Sequence, residues 1–258
     1  MPSLAAPPEQ VPERVLPDMV ALSPTGLEHW LTCPRLYLNA DVLDLPGSDP
    51  GPPRGHGLLV HDLLRHLHRR GSCAEAPRGP SQQVAELLEA HACDDRVGAY
   101  LSAHVRRCPA GATSLGHERE FARFHRFPGP IFMAVGRIDA LWAHDGLLDA
   151  RDYKTGMAVP AAVADDPKAR LQAFLLARLA AREGLRLQIR YECLAPEVVE
   201  DPEPFEPDDG VLGVIEEELR QVVAAMRADR AFAGVAEPGA CRHCHYRSIC
   251  PDSVARPR

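Results

Sequence analysis

The chain has 258 residues, 45% hydrophobic and 25% charged, which places it in the range of one globular domain, with or without a small appendage. Its formal net charge of −7 argues against a general coating of positive charge, so any nucleic-acid partner has to meet a local basic surface. No run approaches the roughly 18 to 20 apolar residues that span a bilayer, and the start lacks a basic region followed by an apolar one, so no membrane partner and a cytoplasmic location are expected.

Residues 1–20 are Pro-rich and read as an irregular start. From Ser23-Pro24, a cap followed by Pro at the first helical position, Leu27, Trp30 and Leu31 predict a helix that stops near Cys33-Pro34, with a second stretch over Arg35 to Val42. Gly57 to Arg70 carries Leu58, Leu59, Leu63, Leu64 and Leu67 at helical spacing, and Ser81 to Cys108 predicts one or two further helices. At Glu118 the texture changes. Phe121, Phe124 and Phe127 lead into a β-rich run, Ile131 to Trp142. A turn at His144-Asp145-Gly146 then joins it to Leu147–Lys154 as an antiparallel pair. A helix over Pro167 to Glu183, a strand over Leu185 to Ala195 and a long amphipathic helix over Val211 to Ala233 follow. There is no GxxxxGK[ST] loop, so an ATP-driven motor is not expected.

Eight cysteines in a cytoplasmic chain point to metal ligation or burial rather than disulfides. Cys73, Cys93, Cys108 and Cys193 fall in no ligand-like pattern and are read as ordinary thiols. Cys241-x-x-Cys244-x5-Cys250, with Cys33 far upstream, supplies four thiolates, enough for a tetrahedral metal site or a cubane cluster. Spacing alone does not name the metal. His243 and His245 keep zinc open as the alternative.

The segment from Gly136 to Asp139, then Asp152-Tyr153-Lys154, is the most informative. Residues two apart on a strand share a face, so Asp152 and Lys154 point together, and the hairpin can bring Asp139 beside them. Two carboxylates and an ammonium suit phosphodiester cleavage, because hard oxygen ligands hold Mg2+ or Mn2+ and a lysine offsets charge in the transition state. The same pattern equally fits an exposed surface ion pair, which contributes about 0 to 1 kcal/mol.

The segments from Leu22 to Cys33-Pro34, Gly57 to His61, Gly136 to Asp139 and Asp152 to Lys154, followed by Gln172, stand in an order that resembles the RecB-type branch of the PD-(D/E)XK nuclease superfamily. The resemblance runs from about residue 22 to 251. It implies an α/β, restriction-endonuclease-like fold, with a mixed central sheet flanked by helices, a helical N-terminal part and a C-terminal iron-sulfur tail. It implies that His61, Asp139, Asp152 and the carbonyl of Tyr153 ligate the metal, that Lys154 is catalytic and that Gln172 places the lysine or the substrate. It also implies a [4Fe–4S] cluster on Cys33, Cys241, Cys244 and Cys250. On this reading one nuclease domain spans 21–258, comprising a helical part (21–117), a catalytic core (118–200) and the C-terminal helix with the cysteines (201–258).

Two departures stand out. Family members often carry a tyrosine four residues after the glutamine, where this chain has Leu176, and Asp152 stands where many have Glu. The expected activity is metal-dependent exonucleolytic hydrolysis of single-stranded DNA or DNA ends in repair or recombination, beside a separate helicase. The alternatives are a CRISPR-associated nuclease trimming DNA for an integrase complex and a noncatalytic DNA-binding subunit. Arg65, Arg69 and Arg70, or the terminal arginines, are expected to track the DNA backbone on charge alone.

Overall fold

The structure, a computed structural model, describes residues 19–47, 56–69, 71–75, 79–125, 129–156, 160–198 and 200–255. Its frame is a mixed sheet of five strands: β1 (Val20–Leu22), β2 (Thr113–His125), β3 (Phe132–His144), β4 (Leu147–Lys154) and β5 (Arg186–Cys193). β2 runs antiparallel to β3 along its length. On the other side of β3, β1 pairs parallel with Phe132–Ala134 and β4 pairs antiparallel with Ala140–His144. The β3–β4 turn has Asp145 at φ 50° and Gly146 at φ 74°, the two left-handed residues that a tight hairpin of this kind needs.

Helices cover both faces. α1 (Pro24–Thr32) starts where the Ser23 hydroxyl accepts the Gly26 N–H at 2.9 Å, and it stops at Cys33, whose extended backbone also opens α2 (Pro34–Tyr37). One π-helical turn, Leu38–Val42, follows. The next helices are α3 (Gly57–Leu67), α4 (Pro80–Ala90) and α5 (Asp95–Val105). α6 (Pro167–Glu183) is capped by Asp166, which accepts the Lys168 N–H at 2.8 Å, and ends at Gly184 with φ 67°. α7 (Asp209–Ala228) and α8 (Pro238–Arg242) complete the set. No helix among the described residues is long and apolar enough to cross a membrane.

Two apolar cores result. One joins α1, α6 and α7 to the sheet through Leu27, Phe174, Leu176, Ile215, Leu148 and Ile189. The other joins α3, α4 and α5 to Trp142 and Tyr153 through Leu63, Leu64, Val84 and Leu101. Each fully buried leucine contributes roughly 1.5 to 3 kcal/mol of transfer free energy.

Several expectations change. Residues 1–18 lie outside the described residues, but Val20–Leu22 at the end of the supposed irregular start is a buried strand, too short for alternation to show. Two strands were expected before Gly156. With β1 there are four, the further one because β2 begins at Thr113, inside the expected helical part, and its polar, partly exposed residues hide its period. Phe127 lies outside the described residues. On α3 the inward face is Val60, Leu63, Leu64 and Leu67, while Leu58 is exposed. α7 ends at Ala228, before the expected Ala233.

β4 is buried on both faces. Leu148 and Ala150 enter the first core, and Asp149 and Arg151 on the opposite face are buried too. The Arg151 guanidinium donates to Asp149 (2.9 Å from Nε) and to Glu192 (2.9 Å from Nη1), and His104 Nδ1 lies 2.6 Å from Glu192. Cys73 and Cys108, expected to be ordinary thiols, meet His68 and His104 beside this network.

Candidate active site at the strand fork

β3 and β4 part company at one place. Their pairing ends at Ala140–Arg151, while β4 stays on β5 as far as Lys154–Cys193. β1 takes up the vacated side of β3 only at Ala134, so residues 135–139 face a gap between two prongs. The gap opens into a cleft of about 710 Å³ whose wall includes Thr25, Arg137, Asp139, Asp152, Lys154 and Gln172.

Asp139 sits at the crotch of the fork. Ile138 belongs to one apolar core and Ala140 to the other, although residues two apart on a regular strand share a face. The break coincides with Glu118, which stands on β2 between the partners of Ala140 and Ile138 and has φ 50°, an uncommon conformation for a residue with a side chain. Asp139 thereby reaches across the gap, where its Oδ2 accepts the Tyr153 N–H at 2.8 Å and tacks the diverging strand down. Gly136 is closely packed nearby, where a Cβ would stand 2.8 Å from Leu175 Cδ1 of α6 and that side chain would have to shift.

On the other prong, Asp152 and Lys154 do point together, with Nζ 2.8 Å from Oδ1. The ammonium also lies 4.3 Å from the centroid of the Tyr191 ring, and the Tyr191 hydroxyl donates to Asp166 at 2.6 Å. The ring is thus held under the lysine. From α3, His61 places Nε2 3.1 Å from the Tyr153 carbonyl oxygen and Nδ1 3.4 Å from Glu118 and 3.5 Å from Asp139. Gly57 brings the start of that helix close, since a Cβ there would lie 3.2 Å from Thr155 Oγ1.

The electrostatics favour a cation. Burial raises the Asp152 carboxyl above its ordinary range, the charge of Asp139 raises it further, and Lys154 and His61 pull the other way. Burial opposes charge on His61, yet its hydrogen bonds with Asp139 and Glu118, and their charges, push its pKa up to about 10. Crowded carboxylates that draw protons onto themselves and their neighbours are relieved by a divalent cation, and hard oxygen donors suit Mg2+ or Mn2+. The residues present therefore fit such an ion. Glu118 is absent from the sequence expectations. Only its place opposite Asp139 reveals it, and it also holds Arg137 Nε at 2.7 Å.

The sequence model of the PD-(D/E)XK nuclease superfamily matches residues 21–251. The chain belongs to this superfamily. Nucleases of the superfamily use divalent metals and act on DNA, in keeping with the carboxylate fork. No curated protein matches the chain in sequence. Among solved structures, the one described as "Crystal structure of SSO0001" resembles it at a TM-score of 0.43 and 14% identity, over 91% of this chain and 87% of that one.

In this PD-(D/E)XK nuclease Gln172 is buried on α6 and lies on the cleft wall. Leu176, one turn further on, is fully enclosed in the first core, so the position of the missing tyrosine points away from the cleft. Arg65 pairs with Asp62 beside His61, while Arg70, Arg256 and Arg258 lie outside the described residues.

The structure also gathers Cys33, Cys241, Cys244 and Cys250 around one cavity, more than two hundred residues apart in sequence at the extreme. The Cys244 thiol is raised by burial and by the nearness of Cys250, Cys33 and Cys241. The Tyr246 N–H donates to Cys244 Sγ at 3.4 Å. The tail is further sewn to the first helices by Tyr246, whose hydroxyl donates to the Leu45 carbonyl at 2.9 Å, and by Arg35, 3.4 Å from Asp252.

Proposed function

We propose that the chain is a metal-dependent DNA exonuclease of the RecB-type branch, hydrolysing phosphodiester bonds of single strands or DNA ends in repair or recombination, with residues 21–258 working as one nuclease unit. The observation that carries this reading is the convergence of Asp139, Asp152 and Lys154 at a strand fork that opens into a cleft. His61, Asp139, Asp152 and the carbonyl of Tyr153 are the groups that would hold Mg2+ or Mn2+, with Glu118 beside them. A divalent cation there supplies polarisation of the phosphate and a lower pKa for an attacking water. Lys154, fixed between Asp152 and the Tyr191 ring, offsets charge building on the phosphate. Gln172 positions the lysine or the strand from α6, and Arg137, largely exposed on the cleft wall, meets a neighbouring phosphate.

A [4Fe–4S] cluster is the proposed occupant of the four-cysteine cavity, with zinc as the alternative. Either would join the tail to the α1–α2 junction and so close a loop around the catalytic core. Iron and zinc content of protein purified with and without air decides between them.

The activity test uses linear and circular single strands in Mn2+. The unchanged protein degrades the linear strand and spares the circle, and Asp152→Asn and Lys154→Ala abolish degradation. Equal loss of circular strands refutes the exonucleolytic reading, and full activity in the two variants refutes the site.

A further inference from the structure

A second side-chain cluster lies under the sheet, on the side away from the cleft. His68 follows the end of α3, Cys73 opens a short 3-10 turn, His104 is on α5 and Cys108 lies just beyond it. Around His68 Nε2 stand Cys73 Sγ at 3.3 Å, Cys108 Sγ at 3.5 Å and His104 Nε2 at 2.9 Å. All four ligand atoms lie within 4.8 Å of one another. Ligands 2.0 to 2.3 Å from a tetrahedral zinc ion are separated by about 3.3 to 3.8 Å, so the cluster needs only small adjustments to receive one.

Three features go beyond proximity. The donor set is two thiols and two imidazoles, a composition suited to zinc. His104 turns its Nδ1 to Glu192 at 2.6 Å, which leaves Nε2 for the cluster, and Glu192 is anchored in turn by Arg151 at 2.9 Å. Such a carboxylate behind a histidine is the usual support of a metal-binding imidazole. Finally, His68, Cys73 and His104 are each at most 2% exposed and Cys108 is half-buried, so the site is largely closed to a substrate.

We propose that His68, Cys73, His104 and Cys108 form a closed Cys2His2 site for a single zinc ion, separate from both the carboxylate fork and the four-cysteine cavity. Binding displaces one proton from each thiol and leaves both imidazoles neutral. The ion fastens the end of α3 to α5. His61 lies on α3 and His68 caps the end of the same helix seven residues on, so the same fastening sets where His61 meets the fork. Tyr153 lies between the two sites, its ring 5.9 Å from that of His61 and 5.3 Å from that of His104.

The test is metal content and spectroscopy on the full chain. Protein dialysed against a weak chelator is expected to retain about one zinc ion per chain, with a mixed sulfur and nitrogen shell at the zinc absorption edge. The Cys241→Ser, Cys244→Ser, Cys250→Ser variant should keep that zinc. The Cys73→Ser, Cys108→Ser variant should lose it while keeping the metal of the four-cysteine cavity. Should the latter variant fail to fold, Co2+ added to metal-stripped triple-serine protein gives a second readout, the intense visible bands of tetrahedral cobalt with thiolate charge transfer. Unchanged zinc in the Cys73→Ser, Cys108→Ser protein, no tetrahedral cobalt spectrum in the triple-serine protein, or a Cys73–Cys108 disulfide in the unchanged chain would each overturn the proposal.

Discussion

Replacing Arg151 by methionine tests the charged layer under β4. The guanidinium makes four polar contacts: Asp149 Oδ2 at 2.9 Å from Nε and 2.8 Å from Nη2, Glu192 at 2.9 Å and the Arg107 carbonyl at 3.0 Å. The side chains it bridges are 0% and 1% exposed, so neither carboxylate can turn to water when the arginine goes. Asp149 keeps His144 at 3.1 Å and Glu192 keeps His104 at 2.6 Å, but losing the one guanidinium that bridges two buried carboxylates still costs about 3 to 5 kcal/mol, because their charge is left undercompensated. A domain holds only about 5 to 15 kcal/mol in all. For a chain of this length that translates into a melting temperature lower by roughly 6 to 20 °C. Arg151→Lys keeps the charge but not the fork that spans both acids, and should fall between the two proteins. Urea unfolding at pH 7, followed by far-ultraviolet circular dichroism, measures the difference. A loss below about 1 kcal/mol for Arg151→Met would show that Asp149 and Glu192 are not held as buried anions by this arginine.

Other substitutions probe the fork. Gly136→Ala should cost about 1 to 3 kcal/mol, since the new methyl group meets Leu175 at 2.8 Å, and adding Leu175→Ala should restore nuclease activity by making room, as paired melting curves and DNA degradation rates would show. Leu176→Tyr should not supply a cleft hydroxyl. It overpacks a fully buried position and lowers stability by about 1 to 3 kcal/mol, read from the urea midpoint. Glu118→Gln should raise the Mn2+ concentration for half-maximal activity by about tenfold or more, measured in metal titrations, while barely moving the melting temperature.

How far the sequence reveals this architecture depends on the range of the cue. α6 is legible to the residue because Asp166, Pro167 and Gly184 mark its ends locally. The β3–β4 hairpin follows from Asp145-Gly146. Other features depend on register between distant strands. Glu118 is an ordinary surface acid until β2 is laid against β3 opposite Asp139. Asp149 and Arg151 alternate with Leu148 and Ala150 and look like a solvated face, yet both are buried and they neutralise each other. His68-x4-Cys73 and His104-x3-Cys108 are visible as two short pairs, but each is half a ligand set, and only the packing of α3 against α5 joins the halves.

Tyr153 contributes its peptide more than its phenol to the fork. Its N–H is spent on a carboxylate instead of a neighbouring strand, and its carbonyl on an imidazole. That makes one amide a native sensor of the cleft. Anything that draws Asp139 away loosens the Tyr153 N–H, so its nitrogen resonance and its rate of deuterium exchange report occupancy of the fork without an attached probe and without turnover.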